Sequence, residues 1–407
     1  MTTTFDSSDH AYMAEALRLA ARGRYSTHPN PRVGCLLVRD GEVVGRGFHV
    51  RAGEPHAEVH ALRQAGERAR GATAYVTLEP CAHHGRTPPC ADALVAAGVA
   101  RVVVAAHDAN PLVAGQGMAR LRAAGITVDS GLLQAEAEAL NVGFLRRMAG
   151  GLPWVRLKLA ASLDGRTAMA SGESQWITGS EARRDVQRWR ALSSAVITGI
   201  GTVRADDPAL NVRPELWSRA GALLPAQQGD AAVPASAAEV HQPLRVVLDS
   251  ALRMAPTAQL LQGPGDTLVV TVLDAPLHDE DLITSLQHVD PARAARARAL
   301  RDAGARLLAV PAACHGRPDL HILLRLLAEA GCNEILVEAG AGVAGSFLAA
   351  GLVDELLLYQ APTLLGSSAR PLADWPLALM AEQQRFHIHD LRRLGDDIRL
   401  ILRPRLA

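Results

Sequence analysis

The sequence predicts an α/β protein made of two successive domains, on three observations. The chain has 407 residues, whereas one hydrophobic core usually serves about 150. Short apolar runs alternate with segments of helical period, the pattern of a largely parallel sheet covered by helices. The alternation breaks at Met148-Ala149-Gly150-Gly151-Leu152-Pro153 and then restarts with a strand. The expected domains are residues 1–147 and 153–407.

Taken in order, residues 8–22 form an amphipathic helix with Ala11, Ala14, Ala16, Leu17 and Ala20 apolar, capped by Ser7 or Ser8. Residues 33–39 and 42–48 form a hairpin about Asp40-Gly41, a strong turn dipeptide. Residues 57–70 read as a helix, 74–78 as a strand, 90–97 as a helix and 99–106 as a buried strand. Helices follow at 117–124 and 135–145. In the second half, strands are expected at 154–160, 195–199, 244–249, 267–273 and 334–338, with helices at 180–192 and after the last strand. Residues 214–243, rich in Ala, Gln and Pro without a clear period, read as a surface insertion.

The chemistry begins with His56-Ala57-Glu58 and, some twenty residues on, Pro80-Cys81 and Cys90. Zinc prefers thiolate and imidazole in a tetrahedron, and a catalytic site keeps one position open by supplying three protein ligands. His56, Cys81 and Cys90 would be those three. Glu58 is then free to shuttle a proton from water to a leaving amine, the zinc deaminase arrangement. A helix beginning at His56 also offers open amides, which favour a thiolate nearby. Two other readings stay open: a closed structural zinc site with His60, His83 or His84 as fourth ligand, and two buried thiols that bind nothing. The usual deaminase has two residues between its cysteines; here there are eight. His49, ending the second strand of the hairpin, is a candidate substrate contact.

Composition narrows the classes of function. Hydrophobic residues make up 48% of the chain and the formal net charge is zero, so burial is ample and a nucleic-acid partner is not expected. Five cysteines, two of them assigned to metal, point to a reducing compartment and a cytoplasmic enzyme. Residues 1–10 lack the basic and apolar pattern of a signal. Arg101 and His107 interrupt the longest apolar candidate, so no membrane span is expected.

Two features of the second half stand out. Gly340, Gly342 and Gly345, in Gly340-Ala341-Gly342-Val343-Ala344-Gly345-Ser346, join a strand to a helix as G-x-G-x-x-G, a turn that lets phosphates approach backbone amides. A plain tight turn is the competing reading, and no acidic residue ends the next strand over 356–360. The other feature is Lys158, the single lysine among 42 basic residues. It lies in an apolar strand whose alternation puts Arg156, Lys158 and Ala160 on one face. A site needing a compact ammonium would explain it, and a stem packed at a rim with its charge in water is the alternative.

Further stretches carry a resemblance. They are Asn30-Pro31-Arg32-Val33-Gly34-Cys35, the long loop between the cysteines, Lys158 to Arg166, Ser171 to Thr178, residues 199–202, Asp206 to Arg213, and Val247-Leu248-Asp249-Ser250. On these the whole chain except residues 214–243 resembles the bifunctional riboflavin-biosynthesis deaminase/reductase family. The resemblance implies a cytidine-deaminase-like three-layer domain followed by a dihydrofolate-reductase-like domain, with zinc and NADPH as cofactors. It implies zinc on His56, Cys81 and Cys90, Glu58 as proton shuttle and Asn30 as a substrate contact. In the reductase it implies that Ala160, Trp176, Thr202, Asp206, Ser250 and residues Gly340 to Ser346 meet NADPH, and that Ser174, Arg190, Leu210, Arg213 and Glu338 meet the substrate. The physical reading agrees. Arg190 and Arg213 can fork onto phosphate oxygens, and in a chain with 3% aromatics Trp176 beside a Ser-Gly turn is a candidate to pack on a cofactor ring. Leu152 departs from the family's usual basic residue before proline.

The expected function is hydrolytic deamination of a diaminopyrimidinone bearing a ribosylamine phosphate, then NADPH-dependent reduction of its ribose to the ribityl form. Lys158 would hydrogen-bond the reducible sugar, with Glu338 as its companion. A phosphorylated pyrimidine is the expected small-molecule partner and a homo-oligomer the expected assembly. The alternative is a single-function zinc nucleoside or pyrimidine deaminase with a nucleotide-binding regulatory C-terminal domain.

Overall fold

The computed structural model describes residues 5–82, 89–111, 114–213, 216 and 241–405; these part into two compact units, the first running to Leu152 and including His241, the second holding the rest from Pro153 on. The first unit contains α1 (Ser7–Arg22), β1 (Gly34–Arg39), β2 (Glu42–Phe48), α2 (Ala57–Ala65), β3 (Thr73–Leu78) and α3 (Cys90–Ala97). It continues with β4 (Arg101–Ala106), α4 (Gln116–Ala123), β5 (Thr127–Ser130), α5 (Gln134–Leu140) and α6 (Val142–Met148).

Its sheet has the order β2-β1-β3-β4-β5. Strands β3, β4 and β5 run parallel, whereas β1 is antiparallel to both neighbours, so the sheet is mixed rather than largely parallel. One face packs Ala57, Ala61, Leu94, Met118 and Leu121 from α2, α3 and α4. The other packs Met13, Ala16, Ala137 and Phe144 from α1, α5 and α6. Helix, sheet and helix make three layers.

Local chemistry explains the shifted boundaries. Asp6, not Ser7 or Ser8, caps α1, because Asp6 and Asp9 exchange side-chain bonds with each other's amides. Helix α2 stops at Ala65 instead of Arg70, since Gly66 takes φ 54° and a short 3-10 turn follows. The single helix expected over 135–145 is two, broken at Asn141, whose amide accepts from Arg32 N and donates to Arg32 O. Gly47 lets the site helix lie close on the sheet: a Cβ there would sit 2.1 Å from the Ala57 carbonyl.

The second unit holds β6 (Trp154–Ala161), β7 (Arg166–Ala168), α7 (Ser180–Leu192), β8 (Ala195–Gly199), α8 (Ile200–Asp206), β9 (Leu244–Leu248), β10 (Thr267–Val272), β11 (Leu277–His278) and α9 (Asp279–Val289). Then come α10 (Pro291–Asp302), β12 (Arg306–Val310), α11 (Leu320–Glu329), β13 (Glu334–Glu338), α12 (Ala341–Ala349), β14 (Glu355–Gln360), β15 (Arg370–Pro371), β16 (Phe386–Leu394) and β17 (Asp397–Pro404). Ten strands form one sheet in the order β11-β12-β10-β9-β8-β13-β6-β14-β17-β16. The seven from β12 to β14 run parallel, β11 and β17 run against them, and β16 is antiparallel to β17. The carboxyl ends of parallel strands are where such sheets bind ligands, and a cleft of about 860 Å³ opens at the ends of β6, β8, β9 and β13. Of the insertion expected over residues 214–243, only Leu216 and residues 241–243 fall among the described residues.

Candidate active sites

In the first unit, His56 is the N-cap of α2, with extended backbone, and Glu58 stands in the first turn behind it. Cys81 follows β3 through Glu79 and Pro80, and Cys90 opens α3. These ends converge. The ligand atoms of His56, Cys81 and Cys90 all lie within 4.8 Å of one another. His56 Nδ1 is 3.3 Å from Cys90 Sγ and 3.7 Å from Cys81 Sγ, and the Cys90 amide donates to Cys81 Sγ at 3.3 Å. Hydrogen bonding from the Cys90 thiol, helped by His56 and that amide, lowers the Cys81 thiol toward thiolate. Donating to Cys81 and burial raise Cys90 in turn. Burial raises the Glu58 carboxyl against the opposing pull of His56, and Glu58 Oε2 has no hydrogen-bond partner among the described residues.

This donor set fits zinc: two sulfurs and one imidazole nitrogen converge, beside a buried carboxylate oxygen that lacks a partner. His60 does not join the group, and His83 and His84 lie outside the described residues. His49 is 2% exposed. Its ring meets His56 edge-on at 5.3 Å, Nε2 pairs with Asn30 Nδ2 at 3.1 Å, and Nδ1 pairs with the Pro55 carbonyl at 3.2 Å. With its two ring nitrogens paired to Asn30 and to Pro55, His49 holds Asn30 in place beside His56.

Sequence reasoning missed Glu79. Its buried carboxylate accepts from Gly115 N at 3.0 Å, Gly117 N at 3.1 Å and Met118 N at 3.3 Å, which caps the start of α4. Gly117 permits this approach, since a Cβ there would lie 1.9 Å from the Pro80 carbonyl oxygen. The segment leading into Cys81 is thereby fixed on α4. The available signal was a carboxylate two residues before a cysteine, followed by a glycine-rich helix start.

In the second unit the cleft is lined by Lys158, Ala160, Ser174, Trp176, Arg190, Thr202, Asp206, Leu210, Arg213, Ser250, Glu338, Gly340, Ala341, Gly342, Val343 and Ser346. Ala344 and Gly345 are buried behind the first turn of α12 and do not line the cleft; a Cβ on Gly345 would meet the Asp374 carbonyl oxygen at 1.9 Å. Gly340 caps α12 and its amide donates to Thr202 Oγ1 at 3.2 Å. A Cβ on Gly342 would meet nothing within 4 Å, so that glycine faces open space.

Charge is concentrated at the cleft floor. Glu338 accepts from Arg190 Nε at 2.6 Å and from its second terminal nitrogen at 3.0 Å, while the remaining one donates to the Asn211 carbonyl at 3.2 Å. Burial would raise the Glu338 carboxyl, yet Arg190, Lys158 and Arg213 together hold it below its ordinary value. Burial lowers the Lys158 ammonium, with Glu338 opposing and Arg190 adding to the fall. Arg190 is therefore occupied, whereas exposed Arg213 has no ion pair among the described residues. Trp176 is 67% exposed, and the Arg183 guanidinium lies 4.3 Å from its ring centroid.

A deaminase-type zinc centre in one unit and a strand-end nucleotide cleft in the other define the class: a bifunctional deaminase and reductase. Comparison with known proteins agrees. Residues 6–106 match the zinc-binding region of cytidine and deoxycytidylate deaminases, and residues 153–400 match the RibD C-terminal domain. The riboflavin biosynthesis protein RibD of Escherichia coli K12 is 52% identical over 97% of this chain and 99% of its own. That of Haemophilus influenzae is 46% identical over 98% and 99%. The structure of Acinetobacter baumannii RibD superposes with TM-score 0.84 at 48% identity, covering 98% of this chain and 99% of that one. A Thermotoga maritima structure, described as a diaminohydroxyphosphoribosylaminopyrimidine deaminase/5-amino-6-(5-phosphoribosylamino)uracil reductase, gives 0.76 at 28% identity with the same coverage. The chain belongs to the RibD family of riboflavin biosynthesis proteins and carries both the deaminase and the reductase, with zinc and NADPH as cofactors.

Proposed function

We propose that residues 1–147 deaminate 2,5-diamino-6-(5-phosphoribosylamino)pyrimidin-4(3H)-one and that residues 153–407 reduce the ribose of the resulting uracil to its ribityl form. The observation that carries the first step is the convergence of His56, Cys81 and Cys90 beside Glu58, with its unpartnered Oε2. Bound zinc supplies a Lewis acid that makes water nucleophilic near neutral pH. Glu58, its carboxyl already raised by burial, takes the proton of the attacking water and returns it to the departing amine. Asn30, held by His49, binds the pyrimidine.

In the second unit NADPH supplies hydride. The first amides of α12, at Ala341 and Gly342, receive its diphosphate, an anion at a helix start, and Thr202, accepting from the Gly340 amide, keeps the turn in place. Trp176 offers an exposed ring face. Ala160, Asp206 and Ser250 lie along the same cleft. Lys158 donates a hydrogen bond to the opened sugar, Glu338 with Arg190 fixes its position, and Ser174, Leu210 and Arg213 hold the remainder of the phosphorylated substrate.

We place the enzyme in the cytoplasm as a homo-oligomer acting on a phosphorylated pyrimidine. No helix among the described residues is long and apolar enough to cross a membrane. Support for oligomerisation comes from β16, an edge strand exposing Ile388 and Leu391 at 61% and 57%. Mass analysis of product from substrate and NADPH tests the function: loss of the amine must precede oxidation of NADPH.

A further inference from the structure

We propose that Arg253, beside Ser250, reads the 2′-phosphate that distinguishes NADPH from NADH; this rests on the first turn of α12 being the cradle for the cofactor's diphosphate. Strands β13, β8 and β9 are neighbours in the sheet. A cofactor anchored after β13 therefore reaches the end of β9 across two strand spacings, about 10 Å. That is a span suited to a diphosphate at one end and the adenosine ribose at the other.

In dinucleotide-binding α/β folds an acidic residue at a strand end binds the ribose diol of NAD, whereas an arginine nearby accommodates the 2′-phosphate of NADP. The end of β9 carries an acid, Asp249, yet it is 0% exposed. Its Oδ2 accepts from Met254 N at 2.8 Å, and its carbonyl accepts from Leu252 N at 3.0 Å. The carboxylate is turned into the fold, where it closes residues 249–254 into a turn. It can neither bind a diol nor repel a phosphate at close range.

The same turn brings Ser250 and Arg253 to the cleft wall. Its backbone is held from behind, since the Ser250 carbonyl accepts from Thr271 Oγ1 at 2.8 Å and from an Arg293 terminal nitrogen at 3.1 Å. Arg253 itself is lightly engaged. Its side chain is 54% exposed and its contact with Asp249, from Nε, is long at 3.9 Å, which leaves its terminal nitrogens to fork onto a phosphate. Arg317, another arginine of the cleft lining, is occupied at the α12 end: it donates to Ser346 Oγ at 2.9 Å.

The test is direct titration of the full-length enzyme with NADPH and with NADH, without substrate, read by calorimetry. Arg253→Ala should raise the NADPH dissociation constant about 10- to 100-fold, the scale of losing charge-assisted hydrogen bonds, and leave that of NADH within about twofold. Adenosine 2′-monophosphate should compete with NADPH on the parent and lose that competition on the variant. Arg253→Lys should recover part of the NADPH preference. Equal weakening of both cofactors, or no change in either, overturns the proposal. Gly342→Val distinguishes the underlying reading: it should weaken both cofactors alike, and unchanged affinity for both would remove the cradle and the proposal with it.

Discussion

Lys158 and Glu338 face each other as register partners on adjacent parallel strands, β6 and β13, and a bidentate bond from Arg190 holds Glu338 in place. A single half-buried ammonium thus stands at the cleft floor beside a fixed carboxylate. Lys158→Arg keeps the charge but not the shape, and should cut reduction by about one to two orders of magnitude, the scale of lost positioning. Zinc content and deamination should stay normal. Steady-state reduction of pre-deaminated substrate checks this, and near-parental turnover would leave Lys158 as a packed stem.

The same pair sets a pH dependence. Burial lowers the Lys158 ammonium and Glu338 only partly restores it, so the proton is lost at lower pH than from a free lysine. Because the protonated form is the hydrogen-bond donor, reduction should fall as pH rises through that lowered value. Glu338→Gln removes the opposing charge and should move the alkaline fall to still lower pH. A profile that shifts upward in Glu338→Gln contradicts the assignment.

Removing either sulfur ligand should remove the metal. Cys81→Ser and Cys90→Ser are expected to lose zinc and deamination together, with reduction of pre-deaminated substrate intact. Metal analysis of the purified variants decides it, and zinc retained in both would sink the ligand assignment.

Glu79 should control how tightly that zinc is kept. Glu79→Gln replaces an oxygen that accepts amide hydrogens with an NH₂ that opposes them, at a cost of about 1–3 kcal/mol. Zinc release to a chromogenic chelator should quicken by about tenfold in a protein whose reductase still turns over, on the scale of outer partners of metal sites. Release at the parental rate would make Glu79 only a helix cap.

Gly342→Val should raise the Michaelis constant for NADPH while deamination stays unchanged. The added side chain meets open space and not protein, so a folded variant with the parental constant would show that the turn is only a turn.

Much of the deaminase centre was legible because zinc chemistry uses few residue types at short spacing: His56 with Glu58, and Cys81 with Cys90, stand next to recognisable helix starts. Asn30 and His49 were legible as neighbours of the site, but the bonding of His49 on both nitrogens depends on Pro55 and Asn30, which only the folded chain brings there. Glu79 was not legible, since its partners are backbone amides some 36 to 39 residues away and amides leave no mark in a sequence. The glycine motif was read as one phosphate surface, whereas tertiary packing divides it between Gly342, facing space, and Gly345, pressed against Asp374. The terminal hairpin β16 and β17 escaped because the alternation of Phe386-His387-Ile388-His389 breaks at Asp390, where the register slips.

The central claim is that one chain deaminates first, through Glu58, and then reduces. The most direct measurement gives the parent and Glu58→Gln the diaminopyrimidinone ribosylamine phosphate with NADPH, and follows ammonia and NADPH together. The parent should release ammonia and then consume NADPH. Glu58→Gln, with zinc still bound, should lose at least about a hundredfold in ammonia release and oxidise NADPH only when supplied with pre-deaminated substrate. NADPH oxidation by Glu58→Gln at the parental rate from the aminated substrate, or parental ammonia release, would contradict the account.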